Sequence, residues 1–117
     1  YLRHQGYAFV ERFDANSILY ISRAMDYFDL SKQFNGGLVE AFKTQKTKFL
    51  IISFSSDWLY TTKENKDIVI ALNASGADVS FSEIITDKGH DSFLLDVPDF
   101  LKTLKSFIDS MYEKFKR

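Results

Sequence analysis

Cysteine is absent from the 117-residue sequence, and proline occurs once. Without cysteine there is no disulfide framework, no thiol nucleophile and no cysteine-bound metal cluster. This composition is compatible with a reducing compartment, and we expect a cytoplasmic location. Long apolar runs are missing as well. The longest, residues 49–52, is far shorter than the roughly 20 residues that cross a bilayer, so no membrane partner is expected.

An excess of charge of one sign is also lacking, because the formal net charge is -1. The lysines are dispersed, and the basic end at residues 114–117 suits a solvated helix terminus. We therefore expect no nucleic-acid partner. The first residues lack both an initiator methionine and the apolar core of a signal peptide. From this we expect a fragment or a processed chain.

Aromatic residues are abundant, at 16% with 12 phenylalanines. Such large side chains must be buried against something, and a surplus of them suits a piece of a larger body. Residues 14–29 predict a helix that Asp14 caps, with apolar side chains at helical spacing. After a pair of glycines that breaks this pattern, a short helix is expected at residues 38–43. Residues 47–55 are a nearly continuous apolar run, typical of a strand buried on both faces.

The second half of the chain predicts a helix, a strand and a further helix. Thr61 and Glu64 have the spacing of a capping box, and the helix that they open ends near Gly76, which suits the left-handed position past a helix end. Residues 79–85 alternate as a strand, and Pro98 lies in the first turn of the last helix. The buried stripe predicted for that helix consists of Phe100, Leu104, Phe107, Ile108, Met111 and Phe115.

Strand, helix and strand joined by short loops predict a right-handed parallel βαβ unit, which the last helix covers. This is an α/β architecture. A parallel sheet needs more than two strands and cover on both faces. The unit is therefore predicted to belong to a larger sheet.

Two polar loops follow the predicted strands, at the place where ligands bind in open α/β sheets. Asp57 follows the first strand and His90 the second. If the strands are parallel neighbours, both side chains emerge at one edge, where the carboxylate could orient the imidazole and stabilise its protonated form. Simpler alternatives stay open. Asp57 could cap the following turn, and His90 could be a surface histidine in a polar loop.

A metal site at this edge would have to use His90, Asp91 and Asp57. The other histidine, His4, lies far away in the chain, and there is no helical pair of histidines. We therefore expect no metal. Asp91 could equally be a solvated charge.

A serine nucleophile is the missing part of a catalytic triad. The strained turn that presents such a serine in α/β-hydrolases needs Gly-x-Ser-x-Gly, and the five glycines provide no such sequence. Ser75 follows a helix rather than a strand and is a poor candidate. Because the chain order in these enzymes is serine, acid, histidine, the nucleophile is expected upstream of Tyr1.

Several segments resemble the homoserine O-acetyltransferase family, and the resemblance runs over nearly the whole chain. Residues 53–60 (Ser-Phe-Ser-Ser-Asp-Trp-Leu-Tyr) and 89–95 (Gly-His-Asp-Ser-Phe-Leu-Leu) are similar to the two C-terminal catalytic loops of that family. The other segments that carry the resemblance are residues 12–17, 23–29 and 71–76.

The resemblance implies the C-terminal portion of an α/β-hydrolase fold. Residues 1–13 would be the end of its helical lid and residues 14–117 the C-terminal part of the hydrolase domain, in an enzyme that is a homodimer. The implied activity moves an acyl group from acetyl-CoA or succinyl-CoA to homoserine in methionine biosynthesis, with no permanently bound cofactor.

By the same resemblance, Asp57 would be the acid of the triad, His90 its general base, and Asp91 the carboxylate that binds the amino group of homoserine. Without the serine, the chain alone is expected to be inactive. The family commonly has proline after Trp-Leu-Tyr, where this chain has Thr61 and Thr62. We expect this to alter the stiffness of the loop rather than its chemistry.

The sequence leaves other functions open. The C-terminal loops hardly separate the acyltransferase from an esterase or deacetylase of the same fold, or from a serine O-acetyltransferase. A non-catalytic interaction module is the alternative from a different class, favoured by the missing serine and the surplus of aromatic residues.

Overall fold

The computed structural model describes residues 1–35 and 37–116. Gly36, Arg117 and the side chain of Phe115 lie outside the described residues, together with the predictions made for them. The described residues form these elements in chain order: α1 (Leu2–Arg12), α2 (Ala15–Tyr27), α3 (Leu30–Gln33), α4 (Leu38–Phe42), β1 (Phe49–Phe54), α5 (Thr62–Ala74), β2 (Val79–Ile84), a 3₁₀ helix (His90–Leu94) and α6 (Pro98–Phe115).

The sheet confirms the predicted parallel pairing of the strands. β1 and β2 run parallel in a register that extends from Phe49 opposite Val79 to Phe54 opposite Ile84. β1 begins two residues later than the apolar run suggested, since the N–H of Phe49 donates to the carbonyl of Asp78, just before β2 begins. Full burial on both faces was wrong for most of β1, because only Ser53 and Phe54, at its carboxyl end, are buried.

Helix α5 connects the two strands, and the local signals in the sequence fix both of its ends. The capping box is complete: the Thr61 hydroxyl accepts from the amide of Glu64, and the Glu64 carboxylate accepts from the amide of Thr61. Beyond the other end, Gly76 has a φ of 82°, and the N–H of Ala77 donates to the carbonyl of Leu72, which closes a Schellman turn. Leu72 is 1% exposed, so this helix is firmly anchored on the sheet.

The core lies at the carboxyl end of the strands, between the sheet and α6. It consists of Phe54, Ile84 and Val97, with Ile52 and Phe100 packed against it. Of the stripe predicted for α6, the residues Phe100, Leu104, Phe107 and Met111 are half-buried, but Ile108 is 54% exposed. The physical reason is position around the helix. At 3.6 residues per turn, Ile108 lies almost two turns beyond Leu101 on the same side of α6, and Leu101 is 50% exposed as well.

Helices α1 and α2 have no buried residue, although their sequences are rich in large apolar side chains. Asp14 caps α2 as predicted, with its carboxylate 2.7 Å from the amide of Ser17. α2 ends at Tyr27 rather than at residue 29, because Asp29 accepts from the amide of Ser31 and opens α3 instead.

The chain is more extended than an independent domain of its length. Its radius of gyration is 18.3 Å, compared with about 13 Å for a compact domain of this size. The difference agrees with the small core and with the exposed apolar surface of α1 and α2. Within residues 1–35 and 37–116, no helix combines the length and apolar character needed to cross a membrane.

Candidate active site

The loop after β1 holds the carboxylate of Asp57 in a fixed position. Its Oδ1 accepts hydrogen bonds from the amides of Leu59 at 2.9 Å and Tyr60 at 3.0 Å. Its Oδ2 lies 2.9 Å from Nδ1 of His90. Both roles that the sequence left open are therefore present at once. One oxygen caps the turn and the other contacts the imidazole.

The loop after β2 presents His90 at the start of the 3₁₀ helix, where the sequence had indicated only a polar loop. Gly89 precedes it with φ 69° and ψ -154°, a region of backbone space that is essentially restricted to glycine. The imidazole packs near two aromatic rings, with centroid distances of 5.1 Å to Tyr60 and 5.8 Å to Phe93.

Hydrogen bonds continue the strand pairing into the two loops. The Ser55 hydroxyl donates to the carbonyl of Thr86 at 3.1 Å and accepts from the amide of Thr86 at 3.0 Å. The Ser56 hydroxyl accepts from the amide of Gly89 at 2.9 Å. Together with the bond from Asp57 to His90, these contacts form a series that we call the polar ladder. Consecutive residues of the first loop each bind the second loop.

The environment of Asp57 keeps its carboxylate ionised. The side chain is 6% exposed, against 32% for that of His90. Burial alone would raise the pKa of Asp57, but the hydrogen bond with His90 and the amides of Tyr60 and Leu59 outweigh it and lower the pKa below its ordinary value of 3.8. The ionised carboxylate therefore stabilises the fold above pH 3.8, and this contribution is lost as the pH falls through the lower folded-state pKa.

The hydrogen bond also fixes which nitrogen of His90 carries the proton when the imidazole is neutral. An ionised carboxylate only accepts hydrogen bonds, so the hydrogen must lie on Nδ1. Nε2 is then left with its lone pair and can accept a proton. A carboxylate-oriented imidazole of this kind has the geometry that general-base chemistry needs.

Asp91, the third residue singled out from the sequence, follows His90 directly in the 3₁₀ helix. It is exposed, and among the described residues its carboxylate makes no hydrogen bond or ion pair. An exposed carboxylate on the residue after His90 is available to a cationic ligand. Its role in substrate binding stays a prediction.

Among the described residues, no three His, Asp or Glu side chains are grouped so that they could hold a metal ion. A hollow of about 490 Å³ is lined by Lys46, Thr47, Lys48, Phe107, Met111 and Lys114. It lies by the amino end of β1, at the edge of the sheet opposite to the Asp57–His90 pair. We take the pair rather than this hollow as the candidate site, because only the pair joins an acid to a base.

The sequence did not predict that the hydroxyls of Ser55 and Ser56 join the two loops, or that the hydroxyl of Ser92 binds the carbonyl of Gly89. The polar ladder joins residues 31 to 33 positions apart, so no local pattern marks it. The available signal was a pair of hydroxyl side chains directly after the apolar strand β1. Such hydroxyls can continue backbone pairing where the strand itself has ended.

A buried carboxylate that orients an imidazole, both at the carboxyl edge of parallel strands, is typical of enzymes with a catalytic triad. No model of a protein family matches the sequence. Curated relatives do match it, and each of those described next bears the name homoserine O-acetyltransferase. The chain is 68% identical to the protein of Pelagibacter ubique over 114 residues, which are 97% of this chain and 31% of that protein. It is 57% identical to that of Rhodospirillum rubrum over 115 residues, which are 98% of this chain and 29% of that protein.

A third relative, from Rhodopseudomonas palustris strain BisB18, is 58% identical over 110 residues. The chain belongs to the homoserine O-acetyltransferase family, as the resemblance in its sequence predicted. It covers only about 30% of the length of these relatives.

Proposed function

We propose that this chain is the C-terminal part of an enzyme that moves an acetyl group from acetyl-CoA to the hydroxyl of homoserine, a step of methionine biosynthesis. The observation that carries the proposal is the Asp57–His90 pair, at 2.9 Å, in a chain 57% and 68% identical to proteins named for that reaction. The parallel βαβ unit fits the proposed α/β-hydrolase fold, with residues 1–13 as the end of a lid and residues 14–117 as the end of the hydrolase domain.

In the first half-reaction, the enzyme forms an acetyl-serine. A serine hydroxyl attacks the thioester carbonyl carbon of acetyl-CoA, and Nε2 of His90 takes the hydroxyl proton. The carbon–sulfur bond then breaks, and the proton passes from Nε2 to the sulfur of coenzyme A. Asp57 stabilises the imidazolium that exists between these two transfers.

In the second half-reaction, homoserine takes the place of coenzyme A. Nε2 removes the proton from its hydroxyl as the oxygen attacks the acetyl-serine, and the serine leaves with that proton. Water must be excluded for transfer to win over hydrolysis. The carboxylate of Asp91 would bind the ammonium group of homoserine and so favour this acceptor over water.

The attacking serine is proposed to come from residues that precede this chain in the enzyme. Ser56 and Ser92, the serines closest in sequence to Asp57 and His90, both engage Gly89 with their hydroxyl groups. Ser92 is also completely buried. Neither is therefore placed to attack a substrate, and the chain alone is proposed to be inactive.

A hybrid enzyme tests this function directly. In the Pelagibacter ubique protein, the 114 residues that match this chain are replaced by it. Formation of acetyl-homoserine is measured by mass spectrometry and release of coenzyme A by a thiol assay. We expect activity close to that of the unmodified protein, because the hybrid keeps an acid and a base in the same loops, and none from the isolated 117-residue chain.

The same assay separates the alternative functions. Faster release of coenzyme A without an acceptor would favour an esterase or deacetylase. Preference for serine over homoserine would favour a serine O-acetyltransferase. A folded hybrid that transfers no acetyl group, beside an active parent, would contradict the proposal and favour a non-catalytic role.

Asp91 provides a test of how the acceptor is held. In the full-length enzyme, Asp91→Ala should raise the KM for homoserine roughly tenfold to a hundredfold, because hydrogen bonds to charged groups contribute about 1.5–3 kcal/mol. The KM for acetyl-CoA should not change. Asp87→Ala is the matched control, since Asp87 is an exposed carboxylate in the same loop. An unaltered KM for homoserine in the Asp91 variant would mean that another group binds the amine.

A further inference from the structure

The peptide groups around Gly89 are held by serine hydroxyls on both sides. Its N–H donates to the hydroxyl of Ser56 at 2.9 Å. Its carbonyl accepts from the hydroxyl of Ser92 at 2.6 Å and from the amide of Ser92 at 3.2 Å. That carbonyl belongs to the peptide bond that joins Gly89 to His90. The two serines therefore fix the backbone from which the imidazole extends.

Gly89 needs such support because its own conformational preference is weak. Glycine reaches its observed φ of 69° without strain, but it reaches many other conformations as readily. A Cβ at this position would meet no atom within 4 Å, so the turn is not closely packed at this point. The hydrogen bonds of its N–H and carbonyl therefore help to select this conformation of the turn.

Ser56 is well placed to align the base with the acid. It immediately precedes Asp57, so one short segment carries both the carboxylate and the hydroxyl that holds the backbone before His90. The bonds from Ser56 to Gly89 and from Asp57 to His90 run side by side, at 2.9 Å each. Loss of the first would free the amide of Gly89 and leave Ser92 alone to hold the backbone before His90.

We propose that Ser56 and Ser92 are positioning residues, which hold the imidazole of His90 in line with Asp57 through the backbone of Gly89. The inference rests on the proposed function of the site, because it assigns these serines a part in the proton transfers of His90. Neither serine is proposed to touch the substrate. Their effect on the reaction passes through the orientation of the imidazole.

Ser55 offers a matched control for a merely structural effect. Its hydroxyl makes two hydrogen bonds between the same two loops, but with Thr86 rather than with the residue before His90. If hydroxyls here only tie the loops together, loss of Ser55 and loss of Ser56 should have similar consequences. If Ser56 positions the base, loss of Ser56 should lower kcat, whereas loss of Ser55 should lower only thermal stability.

The kinetic test compares Ser56→Ala, Ser56→Thr and Ser55→Ala in the full-length enzyme. Ser56→Ala should lower kcat about tenfold to a hundredfold, as small misplacements of catalytic groups do, while the KM for homoserine is retained. Ser56→Thr keeps the hydroxyl oxygen and should recover most of that loss. Ser55→Ala should lower Tm but leave kcat within about twofold. Equal losses of kcat in Ser55→Ala and Ser56→Ala, in proportion to Tm, would overturn the inference.

A spectroscopic test does not depend on acetyl transfer. The proton between Nδ1 of His90 and Asp57 should give a low-field proton resonance that is absent from His90→Ala. We expect that resonance to shift or broaden in Ser56→Ala and in Ser92→Ala, and to persist in Ser55→Ala. An unchanged resonance in both Ser56→Ala and Ser92→Ala would refute the positioning role. If the wild-type enzyme transfers no acetyl group, the proposed function fails, while this resonance still decides the role of the serines.

Discussion

Replacing Asp57 by asparagine in the full-length enzyme should lower kcat by roughly 10⁴-fold, the loss that follows when a triad histidine is held in the wrong tautomer. The amides of Leu59 and Tyr60 both donate to Oδ1 of Asp57. An asparagine oxygen would keep those two bonds, which turns the side-chain NH₂ group toward His90. That group donates to Nδ1, so the imidazole hydrogen moves to Nε2 and the base is blocked.

The measurement is the steady-state kcat with acetyl-CoA and homoserine, together with Tm. Because the bonds to the loop amides survive, Tm should fall less in Asp57→Asn than in Asp57→Ala, which loses them. Asp87→Asn, in the exposed part of the second loop, controls for the loss of a charge. A kcat of Asp57→Asn within about tenfold of the wild type would remove Asp57 from the triad.

Replacing His90 by alanine should lower kcat by roughly 10³-fold to 10⁶-fold, since the proton transfers of both half-reactions are proposed to pass through its Nε2. The initial burst of coenzyme A release, which marks formation of the acetyl-enzyme, should disappear. Because acid and base act as a unit, the double variant with Asp57→Asn should be little slower than His90→Ala alone.

The chain contains its own control for this experiment. His4, its only other histidine, is exposed on α1. His4→Ala should therefore keep the kcat of the wild type and its burst. A burst that persists in His90→Ala would show that another group activates the nucleophile.

Local sequence signals predicted the elements that surround the site. The capping box at Thr61 and the glycine beyond α5 act over a few residues, and both were confirmed. They fix the two ends of the helix that connects the parallel strands, and the parallel pairing brings Asp57 and His90 to the same edge of the sheet. The φ of Thr61, -64°, is also one that proline adopts. The departure from the family at this position therefore leaves the backbone in a conformation that proline would accept.

Packing was predicted less well than the elements themselves. The apolar residues of α2 have helical spacing, and the helix forms, but none of its residues is buried. The same holds for Ile108 on α6. Spacing shows which side of a helix is apolar, whereas burial depends on the surface that lies against it. The sequence also offered a choice for Asp57, between capping its own turn and orienting His90. The structure shows both, because each carboxylate oxygen has its own partner.

The hydrogen bonds that hold Asp57 and those that hold His90 differ in sequence separation. The bonds that hold Oδ1 of Asp57 span two and three residues, whereas the polar ladder joins residues 31 to 33 apart. Short loops close quickly in a folding chain, and long ones require more entropy to be given up. The carboxylate can thus be set as soon as its own turn forms, but the imidazole must wait for β2 to dock. Formation of the Asp57–His90 pair therefore depends on closure of the βαβ crossover, which spans far more of the chain than the turn at Asp57.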